Sequence, residues 1–158
     1  MDPSHFIEGL PLAKAMREWL WLYPIVEIVH ISGFAMLVGS VVMFDLRVLG
    51  IAKHISARAL SRFLLPWTWA ALLLVLPSGV MMFTAHAQDF LGNPAFKLKM
   101  ALLVLALMNT AFFHTGPFQT VATWDRDAKA PIAARLSAAV SIAIWFSVIS
   151  CGRLLAYL

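Results

Sequence analysis

Four long apolar stretches dominate the chain, and short polar segments separate them. They cover about residues 24–46, 64–86, 95–115 and 132–157. Each reaches the length of about 20 residues that a helix needs to cross a bilayer. Because the connections are short, we predict an all-α fold, an antiparallel four-helix membrane bundle that takes up residues 1–158 as a single domain.

The segment before the first span, residues 1–22, is predicted to carry a helix that lies in the membrane interface. From Pro11 to Leu22, apolar side chains recur at helical spacing and the charged ones fall elsewhere, as in interfacial amphipathic helices. The opening residues lack the basic and apolar regions of a removable signal peptide, so we expect the first span to be kept.

Prolines mark the predicted helix starts, because a proline in the first turn loses no hydrogen bond. They are Pro24, Pro66, Pro94 and Pro131. A further proline, in Pro77-Ser78-Gly79, falls in the middle of the second span, where it predicts a kink. Such a kink either widens a cofactor cavity or only shapes helix contacts.

The composition agrees with a membrane protein, since 61% of residues are hydrophobic and 13% are charged, against about 25% charged in soluble domains. Soluble enzymes, disordered chains and nucleic-acid-binding modules are excluded, and the lipid bilayer is the first expected partner. Of the twelve Lys and Arg residues, seven fall in the connections between spans 1–2 and 3–4. The excess of basic residues on the cytoplasmic side of membrane proteins therefore places both termini outside.

Ionisable residues inside the spans need a reason, because each costs at least about 2.5 kcal/mol in hydrocarbon. Glu27 and His30 lie one turn apart on the first span, so both are predicted to face the bundle interior. Asp45 returns to the same face at the inner end. Arg47 points away and is expected to reach the headgroups.

Depth divides the candidate residues into two groups, at a rise of about 1.5 Å per residue. The outer group is Glu27, His30, His86, Lys99 and Arg153; the inner group is Asp45, His54 and His114. About 20 Å of depth separates His30 from His114, which excludes them as ligands of one metal ion. For His86 and His114 a ligand role and a solvated boundary position are both open, Lys99 and Arg153 either act in the site or extend to the headgroups, and His54 is expected to be solvated.

The chemistry of the outer group favours a haem site. Glu-x-x-His occurs once, at Glu27 and His30, whereas di-iron bundles use two copies with further glutamates. Four clustered zinc ligands are missing, and Cys151 is the only cysteine. One or two nitrogen ligands with nearby cations suit haem b. His30, Lys99 and His86 are the candidate iron ligands, and Glu27, Arg153 and His114 are further candidates for contact with the cofactor.

Several motifs resemble known membrane families. The run His30-Ile-Ser-Gly-Phe-Ala-Met-Leu-Val-Gly, Asp45-Leu-Arg47 and Phe96-Lys-Leu-Lys99-Met-Ala-Leu-Leu distantly resemble HemJ-type protoporphyrinogen oxidases and CopD-type membrane domains. That resemblance implies haem b at a His/Lys site. The chain looks more like four-span bacterial membrane proteins of unknown function, with WLYPxVExxH, DLRxLG, NPAFxLKM, NxxxFH and GRxxAY, which implies a multi-pass protein of the bacterial inner membrane.

The HemJ-type Trp and Tyr-Leu-Pro-Arg signatures are missing, so protoporphyrinogen oxidase activity ranks behind a simpler function. We expect a cytochrome b-like protein that transfers electrons to or from the quinone pool or a partner membrane subunit, with homo-oligomers an open possibility. Haem-dependent oxidoreductase activity stays open. The alternative is a non-haem proton or metal permease that uses Glu27, His30 and Lys99 as a relay, or an accessory subunit of a membrane complex.

Overall fold

A computed structural model of the protein describes residues 3–155 and residue 157. Seven α-helices account for most of this part of the chain, with no strand among them. A 3-10 helix, Pro117–Thr123, lies between the last two. The α-helices are α1 Pro3–Glu8, α2 Pro11–Glu18, α3 Leu22–Leu49, α4 Ala57–Ala85, α5 Ala87–Gly92, α6 Pro94–Thr115 and α7 Ile132–Leu154.

Four of these helices, α3, α4, α6 and α7, are long and apolar enough to cross a membrane. Large apolar side chains on their outer faces are exposed, among them Leu73 at 74% and Leu107 at 72%, as expected for a surface that contacts lipid rather than water. The prediction of an all-α membrane bundle is confirmed, and the protein is a multi-pass membrane protein.

The long helices form a row in the order α4, α3, α7, α6. Helix α3 packs along both α4 and α7, and α7 packs along α6, while within the described residues α4 and α6 make no extensive backbone contact. Gly33 sets the close approach of α3 to α4, since a Cβ there would lie 2.9 Å from Leu74 Cβ. The gap between α4 and α6 is bridged by aromatic rings near one end, where Phe83 and Phe96 stack 5.6 Å apart.

Two ends of the bundle differ in what covers them. The first, called here the N-terminal end, carries α1, α2 and α5. Arg17 of α2 donates hydrogen bonds to the carbonyl oxygens of Ala85 (2.9 Å) and Glu8 (2.7 Å), and Met16 is buried against Val26 and Ala85. The single interfacial helix predicted for residues 1–22 is therefore two short helices, because Pro11 begins a new helix after the break at Gly9.

The opposite end, called the loop end, carries the α3–α4 connection and residues 116–131. Arg47 is only 2% exposed there. Its guanidinium donates to the carbonyl oxygens of Ile55 (2.6 Å), Lys53 (3.1 Å) and Asp125 (2.9 Å). The prediction that Arg47 extends to the headgroups is wrong, because three backbone carbonyls of the loops take up its donors instead.

Helix α4 begins earlier than predicted, at Ala57, which places Pro66 inside the helix rather than at its start. Ser56 caps this start by accepting a hydrogen bond from the Ala59 N–H at 3.0 Å. The Asp125 carboxylate accepts from the Ser56 hydroxyl (2.9 Å) and from the Arg58 N–H (2.8 Å). The Arg58 N–H bond, the Ser56 hydroxyl and nearby arginines hold the pKa of Asp125 below its usual range.

Candidate functional site

His30 lies on α3, in the half of the bundle nearer the N-terminal end, and is half-buried against α4. Its Nδ1 lies 3.2 Å from the Val75 carbonyl oxygen and 3.0 Å from Ser78 Oγ. A carbonyl oxygen only accepts, so these partners assign the ring proton to Nδ1. The lone pair of His30 therefore resides on Nε2, for which the described residues provide no hydrogen-bond partner.

The His30 ring packs closely against α4 on one side and against aromatic side chains on another. A Cβ at Gly79 would lie 3.1 Å from His30 Cε1, so any other residue there would press on the ring. Phe34 stacks on the ring at a centroid distance of 6.4 Å, and Trp145 of α7 meets Phe34 at 6.0 Å. The imidazole is thus held in one orientation by α4 and shielded by aromatic side chains.

Lys99 lies on α6 and is half-buried. Its Nζ is 4.0 Å from where a Cβ of Gly152 would stand, and Cys151 of α7, which is buried, lies beside it. Lys99 is therefore placed where α6 contacts α7.

Helix geometry gives His30 and Lys99 a similar depth. Phe83, which stacks on Phe96, lies about 7 Å along α4 from Ser78, the contact of His30. Lys99 comes one turn after Phe96, about 4–5 Å back towards the loop end. The two nitrogen donors are thus within about one helical turn of each other in depth.

Glu27 does not join this pair as predicted. Its side chain is exposed, and His30 Nδ1 bonds to Val75 and Ser78 instead of to the glutamate. The two residues lie about 60° apart around α3, and α4 covers the His30 side of that arc only. The prediction that both residues face the bundle interior is wrong.

His86 directly follows the last residue of α4 and lies seven residues, about 10 Å of helix rise, beyond Gly79, so it is past the level of His30. Its ring meets Tyr23 edge-on at 5.7 Å, and its Nδ1 is 3.6 Å from Asp89. Arg153 is exposed; it donates to the Tyr157 hydroxyl and its guanidinium lies 4.8 Å from that ring. Neither residue is brought against the His30 ring.

The inner group stays at the loop end and does not converge. His54 is exposed in the α3–α4 connection, as predicted. His114 is an exposed residue whose ring packs edge-on against Phe118 at 5.3 Å. Within residues 3–155 and 157, no three side chains of His, Cys, Asp or Glu are placed to hold a metal ion.

A shallow recess of about 460 Å³ also opens at the loop end, between the start of α4 and the 3-10 helix. It contains none of the predicted iron ligands. Its lining residues are Arg58, Ser61, Arg62, Phe118, Gln119 and Val121.

Sequence reasoning missed the residues that position the histidine. Val75 and Ser78 hold Nδ1, and Gly79 makes room for the ring. The signal was present in Pro77-Ser78-Gly79, a polar break in an apolar helix that allowed a kink or a cavity. Cys151 and Gly152, beside Lys99, had no comparable signal, because small residues near a helix end are common at helix contacts.

The fold and the site together define a four-helix membrane protein with a half-buried histidine on α3 and a half-buried lysine at similar depth on α6. Residues 22–158 match a family described as "Family of unknown function (DUF6644)", and the chain belongs to that family. The matched range contains all four long helices and omits α1 and α2. No curated protein and no solved structure matched the chain.

Proposed function

We propose that this protein is a membrane haem b protein that transfers electrons, and that His30 and Lys99 would hold the haem iron. The observation that carries the proposal is the state of His30. Its Nδ1 is bonded to Val75 and Ser78, and its Nε2 has no hydrogen-bond partner among the described residues. This is the arrangement of metal-binding histidines, whose second nitrogen donates to a carbonyl or similar acceptor.

The donor chemistry fits haem b. A neutral imidazole nitrogen and a second nitrogen ligand are suitable axial ligands. Gly152 places no side chain against Lys99 Nζ, and among the described residues α4 and α6 make no extensive backbone contact, apart from aromatic stacking near the N-terminal end. When bound, haem b supplies a one-electron iron couple, whose potential depends on ligands and surrounding polarity.

The remaining residues have roles that do not depend on new geometry. Val75 and Ser78 orient the imidazole and increase its basicity. Phe34 and Trp145 exclude water from one side of it. Arg153, exposed at the N-terminal end, is available to anionic propionates, and His86 and Glu27 are left outside the ligand pair.

The proposal includes location and partners. The excess of basic residues at the loop end favours a loop end on the cytoplasmic side of the bacterial inner membrane and both termini on the opposite side. Electrons would then be exchanged with the quinone pool or a partner subunit. A reporter fused after Leu158 that functions only outside the cytoplasm should be active, and activity of a cytoplasmic reporter at that position would reverse the orientation.

An absorption spectrum of protein purified after haem-supplemented expression tests the proposal. We expect a Soret band that His30→Ala abolishes and Lys99→Ala shifts, with His54→Ala, an exposed histidine at the loop end, as the matched control. Folding of each variant is checked by its elution in size-exclusion chromatography. Colourless wild-type protein would favour the rival class, a non-haem permease or an accessory subunit.

His114→Ala sharpens the single-site picture. About 20 Å of helix rise separates His114 from His30 in depth, so its loss should leave the spectrum unchanged. If His114→Ala removes the same haem as His30→Ala, the proposed ligand pair is wrong.

A further inference from the structure

Asp45 is a buried acid that the proposed haem site does not use. It lies on α3 towards the loop end, and the residue is 7% exposed. Its Oδ2 is buried without a hydrogen-bond partner among the described residues. Ser141 of α7 lies beside its carboxyl group.

Asp45 ends a line of polar side chains that crosses three helices, called here the polar seam: Asp45, Ser141, Ser137 and Asn109. Asn109 Nδ2 of α6 donates to the Ser137 carbonyl oxygen at 3.0 Å, and the Ser137 hydroxyl donates to Asn109 Oδ1 at 2.9 Å. Ser141 follows Ser137 by one turn of α7. Asn109 and Ser137 are thus bonded to each other, whereas Asp45 Oδ2 has no hydrogen-bond partner among the described residues.

Among the described residues, no cationic side chain forms an ion pair with the Asp45 carboxyl group. Within the described part of the chain, the one ion-pair contact is His86 with Asp89. The charged side chains nearest the loop end have other surroundings. Arg47 bonds to loop carbonyls, and Arg58 and Arg62 of α4 line the 460 Å³ recess. Arg135 of α7 lines a smaller recess with Lys53 and Lys129. His114 of α6 packs on Phe118.

From this geometry we infer that Asp45 is a proton-binding site, neutral in the folded protein, that exchanges its proton with the loop end of the membrane. An unpaired carboxylate buried among apolar helices is costly, whereas a neutral carboxyl group needs only hydrogen bonds. Asp45 lies four residues, about 6 Å of helix rise, from the end of α3, so the path to water is short. The inference goes beyond the proposed function and requires no haem.

A hydrophobic carbodiimide tests this inference, because such a reagent enters the bilayer and reacts with protonated carboxyl groups. The full chain in liposomes is treated with dicyclohexylcarbodiimide, and adducts are mapped by peptide mass spectrometry. We expect a stable adduct on Asp45. Its yield should fall about tenfold per pH unit above the titration midpoint, as the protonated fraction does, and sodium ions should not change it.

Two controls are built into the chain. Glu27 lies on the same helix but is exposed, so its adduct serves as the internal comparison. A water-soluble carbodiimide should instead label the exposed Asp89. Asp45→Asn should lose only the Asp45 adduct and Asp45→Glu should restore an adduct at that position; the wild-type map stands without either variant if one fails to fold.

Three results would overturn the inference: no Asp45 adduct while Glu27 reacts, a yield independent of pH, or protection by sodium ions, which would identify a cation site. The same map on His30→Ala separates this inference from the haem proposal. Labelling of Asp45 should persist there whether or not haem is bound.

Discussion

Arg47 and His30 lie on the same helix and are both ionisable, yet their surroundings differ in kind. At the loop end, the Arg47 donors reach three backbone carbonyls and the Asp125 carboxylate is bonded to Ser56 and Arg58. In the other half of the bundle, His30 has one nitrogen bonded and the other without a partner among the described residues.

The difference separates structural from chemical use of a polar residue. A buried group whose partners are complete stabilises one arrangement of the chain, because removing it exposes unpaired groups. A group held by one atom and open at another is positioned for a ligand. The partners of the residue, rather than its type or its place in an apolar span, distinguish the two cases.

The largest expected effect belongs to Arg47→Ala. Three backbone carbonyls would lose a charged donor, which we expect to lower the free energy of unfolding by about 3 kcal/mol or more. Thermal unfolding in detergent measures the change. Arg62→Ala, an exposed arginine near the same end, is the matched control and should stay within about 0.5 kcal/mol of wild type.

Equal stability of Arg47→Ala and wild type would contradict this expectation. It would show that water replaces the arginine at the loop end, and that the bonds between Arg47 and the loops do not stabilise the fold.

A pair of glycines in α3 tests the contact between α3 and α4. Gly33→Ala would place its Cβ 2.9 Å from Leu74 Cβ and 3.3 Å from the Ala71 carbonyl oxygen, and overpacking of this kind costs about 1–3 kcal/mol. Gly39→Ala meets nothing within 4 Å and should be neutral or stabilising, since alanine favours helix.

The measurement is again thermal unfolding in detergent, together with the elution volume of the protein. If Gly39→Ala destabilises the protein as much as Gly33→Ala, the α3–α4 spacing is not set at Gly33.

A smaller effect is expected for Asp125→Asn. The Arg58 N–H bond and nearby arginines lower the pKa of Asp125. The charged carboxylate therefore stabilises the fold fully at pH values above the ordinary pKa of an aspartate, and this stability is lost as pH falls through the lowered pKa. The group is solvated, so the cost of Asp125→Asn at neutral pH should be below about 1 kcal/mol. Unfolding curves between about pH 6 and 3 should show a shallower acid loss in the variant than in wild type.

Asp89→Asn, an exposed acid at the N-terminal end, is the control. If Asp125→Asn loses stability at acid pH as steeply as wild type, the Asp125 carboxylate does not stabilise the loop end.

The sequence predicts the four long helices because about 20 consecutive apolar residues have few other stable structures. It does not predict the start of α4 at Ala57, since that start depends on Ser56 and on Asp125 from a distant loop. The orientation of Arg47 is missed for the same reason. Its partners are backbone carbonyls, which every residue carries and no pattern reveals.

The candidate site divides in the same way. His30 and Lys99 can be selected from the sequence, because ionisable residues in hydrocarbon are costly and helix rise gives their depth. The prediction for Glu27 is wrong because it lies about 60° around α3 from His30, and which of the two contacts α4 depends on the α3–α4 interface, which the sequence does not reveal. The roles of Val75 and Ser78 are not predicted, because a carbonyl and a serine in a helix usually bond within that helix.

The smallest expected change in stability comes from Gly79→Ala, which also tests how tightly α4 holds the His30 ring. Its Cβ would lie 3.1 Å from His30 Cε1, so the ring must shift by a few tenths of an ångström while the helix itself gains a good helix former. Unfolding should change little. If the haem proposal holds, haem affinity should fall by up to about tenfold and the Soret band should move, since residues that orient a ligating histidine have effects of this size. Gly152→Ala is the matched control, because its Cβ would meet Lys99 Nζ at an ordinary 4.0 Å. A larger spectral change in Gly152→Ala than in Gly79→Ala would show that the surroundings of Lys99, rather than those of His30, constrain the haem. Lys99 would then be the residue whose environment differs most from that of Arg47.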